Sequence, residues 1–275
     1  MEGICSLITR LKNKYITNFS PTGYVKEVVP CRYSTNLDIE QSILDKLNLF
    51  AQNNPIYLKQ TEIIVDGTLC KSYEGDINNY WLSSKKYDTC YQPFYPTWIL
   101  SAYALAVLSK KLGFTELVDI GSGDGRIAYC STLVGLKSFS IEIDTDLSIL
   151  QHHVVSSTGV GFEILNLDAT SFDYSSLDLS QPIFFISGLP ELGDIMARDV
   201  ITKARNLCDA KGTIGFNFMG THVMREYTAD KTLWGWGNLI EDFELSVVGC
   251  VTLPTLWTND QDLDTAYVFA QMVTV

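Results

Sequence analysis

Three alternating glycines, Gly121, Gly123 and Gly125, follow a short apolar run that contains Asp119 and Ile120. Glycine tolerates positive φ angles and lets a ligand approach the backbone closely, so this spacing predicts a turn whose amides bind a ligand. Helical apolar spacing resumes after the turn, so the motif joins a strand to a helix, which is the context that a nucleotide-binding turn needs. The alternative is a tight strand-to-helix connection that binds nothing.

The glycine spacing separates this turn from two phosphate-binding motifs. A dinucleotide fingerprint needs its third glycine one position later, where Arg126 stands. A P-loop is excluded because no Gly-Lys-Ser or Gly-Lys-Thr follows. The pyrophosphate of a nicotinamide cofactor is therefore disfavoured, and a nucleotide-dependent oxidoreductase is kept only as the third hypothesis.

Acidic residues stand at the ends of the next two predicted strands. Glu142 ends the second strand, at the distance from the glycine turn that the ribose-binding acid of nucleotide-binding units has. A carboxylate accepts two hydrogen bonds from a cis-diol, so Glu142 suits a ribose. Asp168 follows the third strand. The alternatives are a helix cap or a solvated acid for Glu142, and a turn or cap for Asp168.

Taken in order, these elements resemble the class I S-adenosylmethionine-dependent methyltransferases. The family's first motif, acidic-x-Gly-x-Gly-x-Gly, matches residues 119–125, and the resemblance covers roughly residues 117–275. It implies that Glu142 holds the ribose hydroxyls, that Asp168 contacts the adenine amino group, and that Asp119 orients the turn or meets the methionine amino group. The implied cofactor is S-adenosylmethionine. The expected cofactor-binding residues are Asp119, Gly121, Ser122, Gly123, Gly125, Glu142, Asp168, Ala169 and Ser187.

The resemblance places the reactive methyl near the end of the fourth strand. Family members that modify exocyclic or amide nitrogens resemble one another there in Asn/Asp-Pro-Pro-Tyr/Phe, whereas this chain has Ser-Gly-Leu-Pro-Glu at residues 187–191. This departure argues against nucleic-acid bases and glutamine as acceptors. Glu191 is a candidate catalytic residue because it could accept hydrogen bonds from an incoming ammonium, or it is a first-turn acid that complements the helix dipole.

Two further catalytic candidates lie in other segments. Tyr95 belongs to the aromatic segment 87–98, whose rings could close over a sulfonium through cation–π attraction, or simply pack in the core. The Trp-Gly-Trp-Gly stretch at 234–237 has the same two alternatives. His222 follows the fifth predicted strand and is the histidine to test as a base.

Strand and helix patterns alternate from residue 117, which predicts a doubly wound, mostly parallel α/β sheet that binds ligands beyond the carboxyl ends of its strands. Two runs without a helix between them are expected to pair antiparallel, as a C-terminal hairpin at one edge. The predicted strands are 117–120, 139–143, 161–165, 182–187, 212–218, 243–253 and 265–275, and the predicted helices are 125–133, 144–159 and 191–208.

The first hundred or so residues are less regular. A helix at 37–50, a strand at 56–65, turn-rich sequence up to residue 80 and a helix at 97–112 are predicted. We expect an N-terminal α+β cap on the substrate side at residues 1–95 and a Rossmann-like methyltransferase domain at 96–275.

Composition limits the partners and the compartment. The chain has 275 residues and a net charge of -12, and so acidic a surface repels phosphate backbones, which argues against nucleic acid. The seven cysteines have neither the spacing of a zinc site nor that of a disulfide framework, so free thiols in the cytoplasm and no metal are expected. The most apolar window, 98–108, is too short to cross a bilayer, so no membrane association is expected.

The leading hypothesis is therefore methyl transfer from S-adenosylmethionine to a protein side chain, lysine being one option, or to a small molecule. The acidic charge favours a cationic acceptor slightly. The weak catalytic signature after the fourth strand keeps open a second hypothesis, a non-catalytic binding or regulatory subunit with the same fold.

Overall fold

The computed structural model describes residues 2–18, 25–33, 37–76, 94, 96–188, 190–220, 236–256 and 264–272. Its N-terminal part contains a three-stranded antiparallel sheet in the order β1-β3-β2, flanked by helices. The elements are α1 (Glu2–Asn18), β1 (Val25–Pro30), α2 (Gln41–Asn53), β2 (Tyr57–Val65), β3 (Thr68–Gly75) and α3 (Ile99–Lys111).

The rest of the described chain forms a seven-stranded sheet in the order β6-β5-β4-β7-β8-β10-β9. Strands β4 to β8 are parallel to one another, while β10 is antiparallel to both β8 and β9. The elements are β4 (Glu116–Ile120), α4 (Arg126–Leu133), β5 (Lys137–Glu142), α5 (Thr145–Thr158), β6 (Glu163–Asn166), β7 (Pro182–Ile186), α6 (Pro190–Lys211), β8 (Ile214–Met219), α7 (Gly237–Asp242), β9 (Ser246–Leu253) and β10 (Thr265–Met272).

This arrangement confirms the predicted fold class, a mostly parallel α/β sheet with an antiparallel C-terminal hairpin. The hairpin lies at one edge with β9 outermost, and β10 is inserted between β8 and β9. Helix α5 is capped at both ends. Asp144 accepts a hydrogen bond from the Asp146 amide at 2.8 Å, and Gly159 ends the helix with a φ of 67°.

One prediction for the N-terminal part was wrong. Of the stretch predicted to be turn-rich, the structure describes residues 66–76, and within these the turn is two residues long, Asp66 and Gly67, both with positive φ. Strand β3 follows at once and pairs with β2 from Val65 opposite Thr68 onwards. The polar sequence of β3 hid the strand, because its central position between β1 and β2 satisfies the backbone without an apolar run.

The core has two layers, one on each face of the seven-stranded sheet. Successive residues of β7 point to opposite faces, so Phe184 packs with α6 and α7 while Phe185 packs on the side of α3 and α4. Helix α3 is apolar all round and almost wholly buried. The layer that contains Phe185 also includes residues of α1, α2 and the three-stranded sheet, so the N-terminal elements share this core.

Candidate functional site

The site lies at the carboxyl ends of β4, β5, β6 and β7. The chain moves outward from β4 to β5 and β6 on one side, and it returns to place β7 and β8 on the other side. The order of strands therefore reverses between β4 and β7, and such a switch point opens a crevice above the sheet. The glycine turn follows β4 at this position.

The glycine turn has left-handed backbone at each of its three glycines, with φ of 66° at Gly121, 60° at Gly123 and 77° at Gly125. The Gly121 amide donates to the Ile141 carbonyl at 2.9 Å, and the Gly125 amide donates to the Ser122 carbonyl at 3.0 Å. A Cβ at residue 121 would meet nothing within 4 Å, so the backbone there faces open space. The predicted turn, with room for a ligand beside it, is present.

Glu142 connects the end of β5 to this turn. Its carboxylate accepts hydrogen bonds from the Gly123 amide and from the Asp144 amide, both at 2.8 Å. The side chain is almost fully buried, and this burial raises the pKa of Glu142 from 4.5 to about 7 although both amides lower it. Each carboxylate oxygen has a second lone pair, so the group retains the capacity to accept from a diol.

Asp119 lies beneath the turn on β4 and is 1 % exposed, and neither of its carboxylate oxygens has a partner at hydrogen-bond distance, although the Ala128 amide is close enough to lower its pKa. Burial raises the pKa of Asp119 well above its ordinary value, and the nearby carboxylates of Glu142 and Asp124 raise it further. A buried carboxyl group without a partner is costly. A cation that reached Asp119 would stabilise its ionised form.

The N-terminal elements hold the turn through Arg126, at the start of α4. Its guanidinium donates to Asp124, to Glu27 of β1, to the Thr97 carbonyl and to the Tyr57 hydroxyl of β2. These bonds occupy all three guanidinium nitrogens. The carboxylates of Asp124 and Glu27 are 0 % and 1 % exposed, so this is a buried ionic network.

Gln151 of α5 supports the turn from the side of β5. Its amide donates to the Gly123 carbonyl at 2.8 Å and to the Ser122 hydroxyl at 2.9 Å. Sequence reasoning missed Gln151, Glu27 and Asn54, the last of which donates to Asp124 at 2.7 Å. A buried polar residue in a helix was the available signal for Gln151, while no local motif points to the other two.

Asp168 and Ala169 follow β6 at the same edge of the sheet. The Glu142 carbonyl accepts from the Asn166 side chain at 2.8 Å and from the Leu167 amide at 3.1 Å, which fixes the end of β6 beside the end of β5. Asp168 is exposed, and its Oδ1 accepts from the amide and the hydroxyl of Thr170, both at 2.8 Å. Ala169 is buried.

The catalytic candidates are described only in part. Ser187 directly follows β7, and its hydroxyl has no partner. Glu191 lies in the first turn of α6, although its side chain is outside the described part of the chain. Tyr95 and His222 lie outside the described residues. Sequence reasoning missed Asn217 of β8, which is 0 % exposed and has no partner for either side-chain amide atom.

The aromatic residues near the site differ in their roles. Phe94 packs over the glycine turn, because a Cβ at residue 123 would lie 2.4 Å from its ring. Trp98 is a core residue, buried and edge-on to Tyr15 at 6.1 Å. Trp236 also fills the core, where its indole donates to the Met219 carbonyl at 2.7 Å. The aromatic residues Tyr87, Tyr91 and Trp234 lie outside the described residues.

The described residues contain no group of three or more His, Cys, Asp or Glu that could hold a metal ion. Within the same residues, every helix is too short or too polar to cross a membrane.

No family model and no curated protein matches the sequence. Several solved structures resemble the fold. A candidate RNA methyltransferase from Pyrococcus horikoshii is 15% identical, with a TM-score of 0.48 over 72% of this chain and 98% of its own. A SAM-dependent methyltransferase from Aquifex aeolicus is 17% identical, with a TM-score of 0.44 over 61% of this chain and 88% of its own. Magnesium protoporphyrin IX methyltransferase from Synechocystis PCC 6803, solved with bound SAM, is 12% identical, with a TM-score of 0.43 over 63% of this chain and 77% of its own. These likenesses concern the fold alone.

Proposed function

We propose that this protein is an S-adenosylmethionine-dependent methyltransferase. The observation that carries the proposal is the pairing of a left-handed glycine turn with two buried carboxyl groups, Asp119 and Glu142, at the switch point of the sheet. Asp119 has no partner, which is the state expected of a group that awaits a ligand's cation.

The charge around the turn favours a cationic cofactor over a dinucleotide. The carboxyl groups of Glu27, Asp119, Asp124 and Glu142 are buried there, and Arg126 is the guanidinium beside them. Because the hydrogen bonds of Arg126 go to protein groups, it has little left to offer a pyrophosphate. A sulfonium with an ammonium group suits these surroundings, whereas two phosphates would be repelled.

The residues fit the parts of S-adenosylmethionine in order along the sheet edge. Asp119 would pair with the methionine ammonium, and Glu142 would accept from the ribose hydroxyls while its amide partners keep it in place. Asp168 and the Ala169 amide would bind the adenine beside the end of β6. The open space at Gly121 would admit the cofactor's chain. The cofactor supplies an electrophilic methyl group, so the protein has only to align a nucleophile and exclude water.

We propose a cationic acceptor, either a lysine side chain of a protein or a small amine. The net charge of -12 and the carboxylates of the site support it. A protonated amine must lose its proton before it attacks, and His222 is the candidate base. Glu191 would accept hydrogen bonds from the incoming ammonium, and the ring of Tyr95 would close over the sulfonium. Ser187, after β7, has a free hydroxyl at the position expected for the reacting methyl.

The described cysteines are free thiols, which supports a reducing compartment such as the cytoplasm.

Calorimetry with S-adenosylmethionine, its demethylated product and NAD tests the cofactor. Micromolar binding of the first two, weakened in Glu142→Ala, supports the proposal, while binding of NAD alone would refute it. Transfer of a radiolabelled methyl group to lysine peptides and to a panel of small amines then separates an enzyme from the alternative, a non-catalytic subunit. A protein that binds the cofactor but methylates nothing in these panels or in a cell extract fits that alternative.

A further inference from the structure

The glycine turn is held from two opposite sides. On the side of β5 and α5, Glu142 accepts from the Gly123 amide and Gln151 donates to the Gly123 carbonyl. On the side of the N-terminal sheet, Asp124 accepts from Arg126 and from Asn54. Asp124 stands between two left-handed glycines, so any force on its side chain acts directly on the turn.

The second anchor reaches far beyond the turn. Glu27 accepts from Arg126, from the Tyr57 hydroxyl and from the Ile99 amide at 3.1 Å, so it joins β1, β2 and the first residue of α3. Arg126 is 3 % exposed and bridges Glu27 to Asp124. The three-stranded sheet is thereby connected to the glycine turn through a continuous chain of charge-assisted hydrogen bonds.

The geometry of this network depends on the planar fork of arginine. Arg126 donates from Nε to Asp124 at 2.8 Å and from a second nitrogen to the same carboxylate, while its remaining nitrogen turns towards Glu27. A lysine ammonium cannot reproduce this two-sided fork. Buried ion pairs contribute little net stability, because desolvation offsets their attraction. We therefore expect the network to fix a geometry more than to raise the free energy of unfolding.

We propose that Arg126 is a positioning residue for the cofactor, which makes the N-terminal sheet a part of the cofactor site. This inference rests on the proposed function. When ribose hydroxyls bind Glu142, its carboxylate is shared between the ligand and the Gly123 amide. The turn then depends on its second anchor, the Arg126–Asp124 contact, which the ligand does not touch. This contact keeps the turn in its binding geometry.

The test uses a neutral triple variant, Glu27→Gln with Asp124→Asn and Arg126→Met. It removes every charge of the network together, so no buried ion is left unpaired. The buried pair Lys12 and Asp264, 3.1 Å apart and three strands from β4, provides the control as Lys12→Met with Asp264→Asn. The measurements are the melting temperature, the calorimetric Kd for S-adenosylmethionine, and hydrogen exchange of the amides of residues 121–125.

We expect the triple variant to melt near the wild type, to bind the cofactor about tenfold more weakly or worse, and to exchange the turn amides faster. The control pair, neutralised in the same way, should also melt near the wild type and should leave the Kd within about twofold and the turn exchange unchanged. Arg126→Lys should bind as poorly as the triple variant, since it keeps the charge and loses the fork.

A folded triple variant whose Kd and turn exchange match the wild type would overturn the proposal. If the triple variant does not fold, the test uses the variants Arg126→Lys and Asn54→Ala instead. A Kd equal to that of the wild type in both variants would also overturn the proposal. Failure of the wild type itself to bind S-adenosylmethionine would refute the proposed function instead. Turn exchange in the variants would then still report whether Arg126 positions the turn.

Discussion

The pKa of Glu142 makes a prediction about stability with a definite sign. In the folded protein this carboxyl group has a pKa of about 7, compared with its ordinary value of 4.5. Below pH 4.5 both the folded and the unfolded chain hold the proton. Between pH 4.5 and 7 only the folded chain keeps it, so the free energy of unfolding falls as the pH rises through this window. The difference between the two pKa values corresponds to a loss of about 3 kcal/mol.

The variant Glu142→Gln isolates this effect, because glutamine resembles the protonated acid and does not titrate. The NH2 group of glutamine cannot accept from one of the two amides, so the variant should be less stable than the wild type at pH 4 by the loss of one hydrogen bond. This loss does not depend on pH, so between pH 4 and pH 8 the variant should gain about 3 kcal/mol of stability relative to the wild type. Urea unfolding followed by tryptophan fluorescence, at several pH values between 4 and 8, gives the difference curve, in which the other titrating groups cancel. A difference that stays constant over this range would refute the burial and pairing described for Glu142.

The same variant should act on ligand binding with the opposite sign. Glutamine cannot accept from the diol and from both amides at once, so Glu142→Gln should weaken S-adenosylmethionine binding by about 1.5–3 kcal/mol. A substitution whose stability relative to the wild type rises with pH, while its affinity for the cofactor falls, identifies a residue kept for binding. A variant that binds S-adenosylmethionine as well as the wild type would leave Glu142 without the proposed role.

Four other substitutions give further tests, the first two as a matched pair. Gly121 and Gly159 have nearly the same left-handed φ, 66° and 67°, and a Cβ added at either residue would have no atom within 4 Å. The variants Gly121→Ala and Gly159→Ala therefore impose the same backbone strain. Both should lose about 1–2 kcal/mol of stability in urea unfolding, but only Gly121→Ala should weaken the cofactor in calorimetry, since its Cβ fills the open face of the turn. Asp119→Asn should raise the melting temperature at pH values above 3.8, the ordinary pKa of the group, because the unfolded wild type ionises there while burial keeps the folded carboxyl group protonated. The same variant should lose any tightening of cofactor binding with rising pH, because the ionised form pairs with the ammonium. Asn217→Leu should stabilise the fold by about 1 kcal/mol in urea unfolding, since it removes two unpaired buried atoms, and a loss of stability would show that the amide has a partner.

Local sequence signals predicted most of the sheet and the cofactor side of the site. The apolar runs, the caps Asp144 and Gly159, and the glycine spacing each act within a few residues, so they can be recognised without the fold. Strand β3 escaped because its polar residues are stabilised by two neighbouring strands rather than by an apolar pattern.

The supporting groups of the turn could not be predicted in this way. Glu27 is 99 residues from Arg126, and Asn54 is 70 residues from Asp124. Nothing in the local sequence of a strand or a helix end indicates which distant charge it will meet, because tertiary packing alone brings them together. The sequence motif therefore located the ligand-facing side of the turn and left its opposite side unassigned.

The two sides of the turn explain why so many acids are buried in one place. Asp119 and Glu142 are the groups with raised pKa values that face the proposed ligand, whereas Asp124 is paired with Arg126. Pairing Asp124 keeps the backbone in position without a ligand, and leaving Asp119 unpaired reserves its charge for one. A cationic cofactor would then relieve the electrostatic cost of the empty arrangement, so binding and ionisation should be coupled. Burying these acids together is electrostatically unfavourable in the apoprotein, and the positive charge of the bound cofactor would offset that free energy.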